Sequence, residues 1–161
     1  MDATWEGDIG ALLSELAEVQ ASLLETLSEK RRLLAAGDQT ALAAMNGREQ
    51  ELACRLQACN DHRQQLLARA AAEGLKADTI AALSNQLPPE SRTRMQASIR
   101  EAEHRTRLLQ HQSLTNWVLV QRSLLHLSQL IEIIATGGRL KPTYGKGSDR
   151  ASSGALVDRA A

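Results

Sequence analysis

His62, His104, His111 and His126 are the first residues to weigh for chemistry, because imidazole ligates metals and carries protons near neutral pH. His104 and His111 share a face if their segment is helical, but seven residues span about 10.5 Å along a helix axis, too far for one ion without an intervening ligand. All four read as solvated helix surface, and no metal site is expected. Cys59 with His62 three residues on has the elements of an activated thiolate. Cys59 falls on an apolar stripe, however, where a thiol serves as a small core residue. Gly145-Lys146-Gly147-Ser148 has the look of a phosphate-binding loop, yet that loop needs a glycine five residues before the Gly-Lys pair, a strand before it and a helix after it. Leu140 stands at that place and the segment follows a helical pattern. No carboxylate pair, Ser-His-Asp set or glycine-rich cofactor turn is left, so no catalytic residues, no cofactor and no enzymatic activity are expected.

Arg92, Arg94, Arg100, Arg105 and Arg107 form the one basic stretch that phosphates would find. Glu90, Glu101 and Glu103 lie among them in helical ion-pair range, which makes a charged solvent face the better account. Lys plus Arg and Asp plus Glu each total 19, so no net field steers the chain to nucleic acid or an anionic membrane. The charge is unevenly placed: residues 1–38 carry eight acids and three bases, residues 137–161 five bases and two acids. No run of about 18 consecutive apolar residues occurs, and Met1-Asp2-Ala3-Thr4 lacks the basic start and apolar core of a signal peptide. A cytoplasmic protein without membrane insertion is expected. Cys54 and Cys59 are five apart on a predicted helix, at separated azimuths, and read as reduced thiols.

The elements that would position these residues are helical. The chain is 43% hydrophobic but contains no Phe, its aromatics being Trp5, Trp117 and Tyr144. Leu and Ala with many Glu, Gln and Arg suit narrow helix-on-helix seams rather than a thick core of rings. The expected fold is all-α: an elongated antiparallel helical bundle or coiled coil made of a helical hairpin, a short linker helix, one long C-terminal helix and a flexible tail. One domain over residues 1–136 and a tail over 137–161 are expected, with helices at about 8–36, 39–73, 78–87 and 89–135.

Ile9, Leu12, Leu13, Leu16, Val19, Leu23, Leu27 and Leu34 make one stripe at steps of three and four, behind Asp8 as a candidate N-cap. Gly37 suits a left-handed helix end, and Asp38 suits the N-cap of the next helix, so the turn between them predicts an antiparallel hairpin. The second helix puts Leu42, Met45, Leu52, Leu56, Cys59, Leu66 and Ala70 on one face, with Glu49 and Arg63 at its edge. After Gly74, the segment from Asp78 to Leu87 reads as a short capped helix stopped by Pro88-Pro89.

The long final helix has seam positions Met95, Ile99, Ala102, Leu109, Asn116, Val120, Leu127, Leu130 and Ile134. At 1.5 Å per residue it spans roughly 70 Å against about 45–50 Å for the hairpin arms, so part of it must overhang, bend or find another partner. From Trp117 to Ile134 apolar residues go most of the way round, more than neighbouring helices of so small a chain cover. That surplus predicts a surface kept for a partner. Leu140, Tyr144, Leu156 and Val157 in the Gly- and Ser-rich tail are spaced like anchors of a segment that orders on binding.

Ala36-Gly37-Asp38 leading to Leu42, Arg63-Gln-Gln-Leu-Leu67, Leu114-Thr-Asn116-Trp-Val-Leu119 and Thr143-Tyr144-Gly145 appear in that order along nearly the whole chain. This ordered set resembles the FlgN-like flagellar export chaperones. The family's tail usually continues Tyr-Gly-x-x-Gly, whereas here Gly147 comes one place early and Ser148-Asp149 follow. The resemblance implies a cytoplasmic chaperone that holds unpolymerised flagellar hook–filament junction proteins, prevents their premature self-association and delivers them to the flagellar type III export gate. It implies that the C-terminal helix and tail contact cargo, which singles out Trp117, Leu124, Leu127, Leu130, Ile131, Ile134 and Leu140, with Tyr144 as the tail or export-gate contact. The alternative is a structural coiled-coil adaptor whose surplus apolar face is a homodimer seam. A helical RNA- or DNA-binding protein is disfavoured by zero net charge and scarce aromatics.

Overall fold

A computed structural model describes residues 3–136, and all regular structure among them is helical: α1 (Ala3–Ala36), α2 (Gln39–Ala44), α3 (Asn46–Ala72), α4 (Ile80–Ser84) and α5 (Pro89–Thr136). The chain divides into two compact units, Met1–Asn116 and Trp117–Ala161, and α5 contributes to both. Leu140 and Tyr144, with the rest of the expected tail, lie outside the described residues.

In the first unit α1 and α3 form the antiparallel hairpin. Gly37 adopts φ 69°, the left-handed conformation that only glycine enters without a Cβ clash. Its amide donates to the Leu34 carbonyl and the Asp38 amide to the Leu33 carbonyl, closing the end of α1 with bonds of 3.3 and 3.1 Å. Asp38 Oδ1 then accepts from the Ala41 amide at 3.0 Å and starts α2. Gly74, at φ 76°, closes α3 in the same way, the Leu75 amide donating to the Ala70 carbonyl.

Three boundaries differ from expectation. Helix α1 begins at Ala3, before the expected cap at Asp8, because Trp5 is pulled into the core: its ring is buried, its Nε1 donates to Glu73 Oε2 at 3.1 Å, and the Arg69 guanidinium covers its face at 3.8 Å. Asp8 pairs instead with Arg69 at 2.6 Å. The expected second helix is interrupted at Met45, ahead of Asn46-Gly47, two residues of low helix propensity. Helix α4 is shorter than expected. Thr79 caps it in place of Asp78, accepting from the Ala82 amide at 3.0 Å, and i→i−3 bonds at Gln86 and Leu87 wind it off after Ser84.

The core joins Ile9, Leu12, Leu13 and Val19 of α1 to Cys59, Leu66 and Ala70 of α3, and Ile80, Leu83 and Leu87 close its end. Burying each of the larger aliphatic side chains stabilises the fold by about 1.5–3 kcal/mol before entropy is counted. Leu56, expected on the α3 seam, is 40% exposed, because it lines an open groove together with Leu12, Leu13 and Leu16 of α1. Glu49 stands at the edge, bound to Lys30 at 2.8 Å, and Arg63 is exposed and donates to Asn60 Oδ1 at 3.3 Å.

Within the first unit α5 runs parallel to α1. Glu6 accepts from Ser91 Oγ and Arg94 Nη2, both at 2.6 Å. Further along, Gln20 Nε2 donates to the Ala102 carbonyl and to Thr106 Oγ1, both at 3.0 Å, and Asn116 Nδ2 donates to the Leu27 carbonyl at 2.9 Å. Met95 and Ile99 pack on the core, but from Gln20 onward the link is largely polar.

Candidate functional site

The residues with chemically reactive side chains are set apart by the fold. His104, His111 and His126 lie exposed along α5, and His62 is half-buried on α3. Among the described residues no three or more His, Cys, Asp or Glu side chains gather where a metal ion would sit. Cys59 is buried in the core, and burial pushes its thiol pKa up, with the Glu15 carboxylate adding to the shift. A raised pKa keeps the sulfur protonated and makes it a poor nucleophile. Of the arginines, Arg94 pairs with Glu6 and Arg105 with Glu101 at 3.2 Å, so part of the basic stretch is matched by acids of its own fold.

Two surfaces stand out among the described residues. One is a groove of about 530 Å³ in the first unit, floored by Leu16, Leu56, Cys59, Ile80 and Ile99 and edged by Arg63 and Glu103. His62, the base the sequence placed near Cys59, is not among the residues that line it. The other is the stretch of α5 that begins at Trp117.

There the large side chains are open to solvent: Trp117 is 59% exposed, Leu124 53%, Leu127 53%, Leu130 42%, Ile131 62% and Ile134 68%. Hence every described residue expected to contact cargo is exposed, whereas Leu140 and Tyr144 fall outside the described residues. The expected seam of the final helix holds through Asn116, with Ala102 and Asn116 buried and Met95, Ile99 and Leu109 half-buried. At Leu127, Leu130 and Ile134 it is exposed, because no described side chain covers those positions.

One 18-residue window of α5 reaches a mean hydropathy of 1.3, with none of it buried. By length and composition alone that helix is apolar enough to cross a membrane. Yet Gln121, Arg122, Ser123, His126, Ser128, Gln129 and Glu132 recur through the same stretch. Two charges and five other polar groups in hydrocarbon oppose a spanning role, whereas an apolar face with polar flanks suits docking against another helix.

What the sequence pattern had concealed is the order within this band. At 100° per residue, Trp117, Val120, Leu124, Leu127, Ile131 and Ile134 fall on one face, with spacing three-four-three-four-three. This face shares Val120, Leu127 and Ile134 with the seam that continues the register of Met95 to Asn116, but takes Trp117, Leu124 and Ile131 in place of Asn116 and Leu130. Reading the exposed residues by themselves would have found it.

In comparison with protein families, the family model described as FlgN protein fits residues 5–151, nearly the whole chain. Comparison with curated proteins and with solved structures finds no match.

Proposed function

This chain belongs to the FlgN protein family, a family of flagellar export chaperones, and from that premise we propose that it binds unpolymerised hook–filament junction proteins in the cytoplasm and delivers them to the flagellar type III export gate. The observation that carries the reading is the exposed apolar band of α5 from Trp117 to Ile134. A monomeric soluble protein rarely keeps so continuous an apolar strip without a partner for it. An amphipathic helix of the cargo laid along Leu127, Leu130, Ile131 and Ile134 covers that strip and hides cargo surface that otherwise self-associates. Leu140 and Tyr144, just beyond the helix, act as the clamp or the signal to the export gate.

Titration of a purified junction protein into the full chain, a Leu127→Glu/Ile131→Glu variant and a chain ending at residue 136 tests this. The double variant is expected to weaken binding at least tenfold, since two buried apolar contacts give way to two desolvated charges. The truncated chain is expected to bind more weakly while keeping its helicity per residue. Equal affinity of the truncated and full chains removes the tail from the cargo site, and equal affinity of the double variant removes the α5 band.

A further inference from the structure

We infer that the groove between α3 and α5 takes an amphipathic helix of the cargo, as a contact separate from the α5 band, with an acid on the flank facing α3 and a base on the flank facing α5. The groove lies wholly within the first unit. Leu12, Leu13 and Leu16 of α1 form its floor, Leu56 and Ile99 stand on its two walls, and α4 closes one end with Ile80. Three helices around an apolar floor are a bundle of four with one place unfilled. The five residues of α4 occupy that place at one end, and beyond them about 530 Å³ stays open.

The size and chemistry of the groove select its occupant. Leu56 and Arg63 on α3 are seven residues apart, as are Ile99 and Thr106 on α5, so each wall runs about 10.5 Å, two turns of a guest helix. An extended segment laid there would press unpaired amides and carbonyls onto leucine side chains, whereas a helix satisfies its own. The rims carry opposite charges, Arg63 on α3 and Glu103 on α5. Among the described residues neither is in an ion pair, and Arg63 donates its Nη2–H to Asn60 Oδ1 instead. A helix with its acid toward α3 and its base toward α5 is attracted at both rims, and the same helix turned end for end is repelled at both. The two charges therefore choose the direction in which the guest lies.

Cargo is the partner that needs this surface, an identification that rests on the function proposed above. The band from Trp117 to Ile134 spans about 26 Å, and one helix on one helix over that length buries less than the roughly 1,200 Å² at which stable complexes begin. A second helix-sized contact brings the total into the range of complexes that persist. While either contact holds, the other re-forms as an intramolecular step.

Titration of a purified junction protein into Leu56→Glu, Leu56→Met and Arg63→Glu/Glu103→Arg chains tests the groove. Leu56, Arg63 and Glu103 are all exposed, so the three variants should keep the parent's helicity and urea midpoint. Leu56→Glu is expected to weaken binding about tenfold or more. The charge swap is expected to weaken it about threefold or more, and Leu56→Met to bind as the parent does. Parental affinity of Leu56→Glu or of the charge swap overturns the proposal. Position is read by thiol protection. In a Cys54→Ser/Leu56→Cys chain, saturating cargo is expected to slow modification of residue 56 about tenfold or more, whereas Cys54 of the parent, about 160° round the helix, reacts as before. Residue 56 left unprotected at saturation overturns the proposal. Protection that appears without cargo as the chain is concentrated, or that ending the chain at residue 136 removes, puts a second copy or the chain's own end in the groove and overturns it as well. The Leu127→Glu/Ile131→Glu variant separates the two contacts. Parental affinity there, with Leu56→Glu weakened, leaves the groove standing and removes the band, and the opposite pattern removes the groove and leaves the band.

Discussion

Asn116 donates its Nδ2–H to the backbone carbonyl of Leu27 at 2.9 Å, and it is the last buried residue of α5. Its neighbour Trp117 is already exposed. A buried amide at a seam position is costly, and here its Oδ1 has no hydrogen-bond partner. Such a group fixes register more than it adds stability, since only one sliding position of α5 brings the amide to that carbonyl.

Replacing Asn116 separates these effects. Asn116→Ala loses the bond and leaves a gap, and is expected to lower stability by about 0.5–1.5 kcal/mol, read from the urea midpoint. Asn116→Leu removes the orphaned oxygen as well and is expected to recover most of that loss. An Asn116→Ala midpoint equal to the parent's would show that the link to Leu27 does not hold the helix.

The two tryptophans report on different surroundings. Trp5 is buried beneath the Arg69 guanidinium and Trp117 is exposed. With Trp117→Phe, the remaining emission is expected to be blue-shifted and poorly quenched by iodide. With Trp5→Phe it is expected to be red-shifted and readily quenched. Trp5→Ala should cost about 3–5 kcal/mol, since it removes a ring from the core together with its bond to Glu73.

Thiol chemistry should distinguish Cys54, exposed on α3, from Cys59, buried beside it. One equivalent of a thiol reagent is expected to react quickly in the native protein and the second only on unfolding. The raised Cys59 pKa also sets a pH dependence. The folded state holds the proton more tightly than the unfolded chain, so the contribution to stability is complete below the thiol's unfolded pKa and is lost as pH rises through the higher folded one. Cys59→Ala should flatten the alkaline side of the stability profile, and an unchanged slope would assign that pH dependence to other groups.

Gly37, with φ 69° and open space where a Cβ would stand, isolates the backbone term of the hairpin turn. Gly37→Ala meets no neighbour, yet must hold a left-handed conformation, and is expected to cost about 1–2 kcal/mol in denaturant melts. Gly37→Asn should cost less, because asparagine tolerates that region better.

Much of this protein was legible in its residues because the signals are local. The three-and-four stripe from Ile9 to Leu34, the Gly37-Asp38 turn and the Pro88-Pro89 break each act within a few residues, and helices form where they point. The apolar excess after Trp117 was visible for the same reason: counting hydrophobes around a helix needs no knowledge of its neighbours.

Other features depended on which faces meet. The start of α1 at Ala3 follows from Arg69 and Glu73 waiting for Trp5 on a helix more than sixty residues away, and no local cap announces that. Leu56 fits the α3 stripe by period yet lies exposed, while Gln20, polar by composition, is buried because Ala102 and Thr106 supply its partners. Periodicity tells which side chains share a side of a helix, and so the sequence alone determined the helices, their turns and the surplus of apolar surface. Only the tertiary structure decided which of those sides are covered, because burial belongs to a pair of surfaces and not to either one.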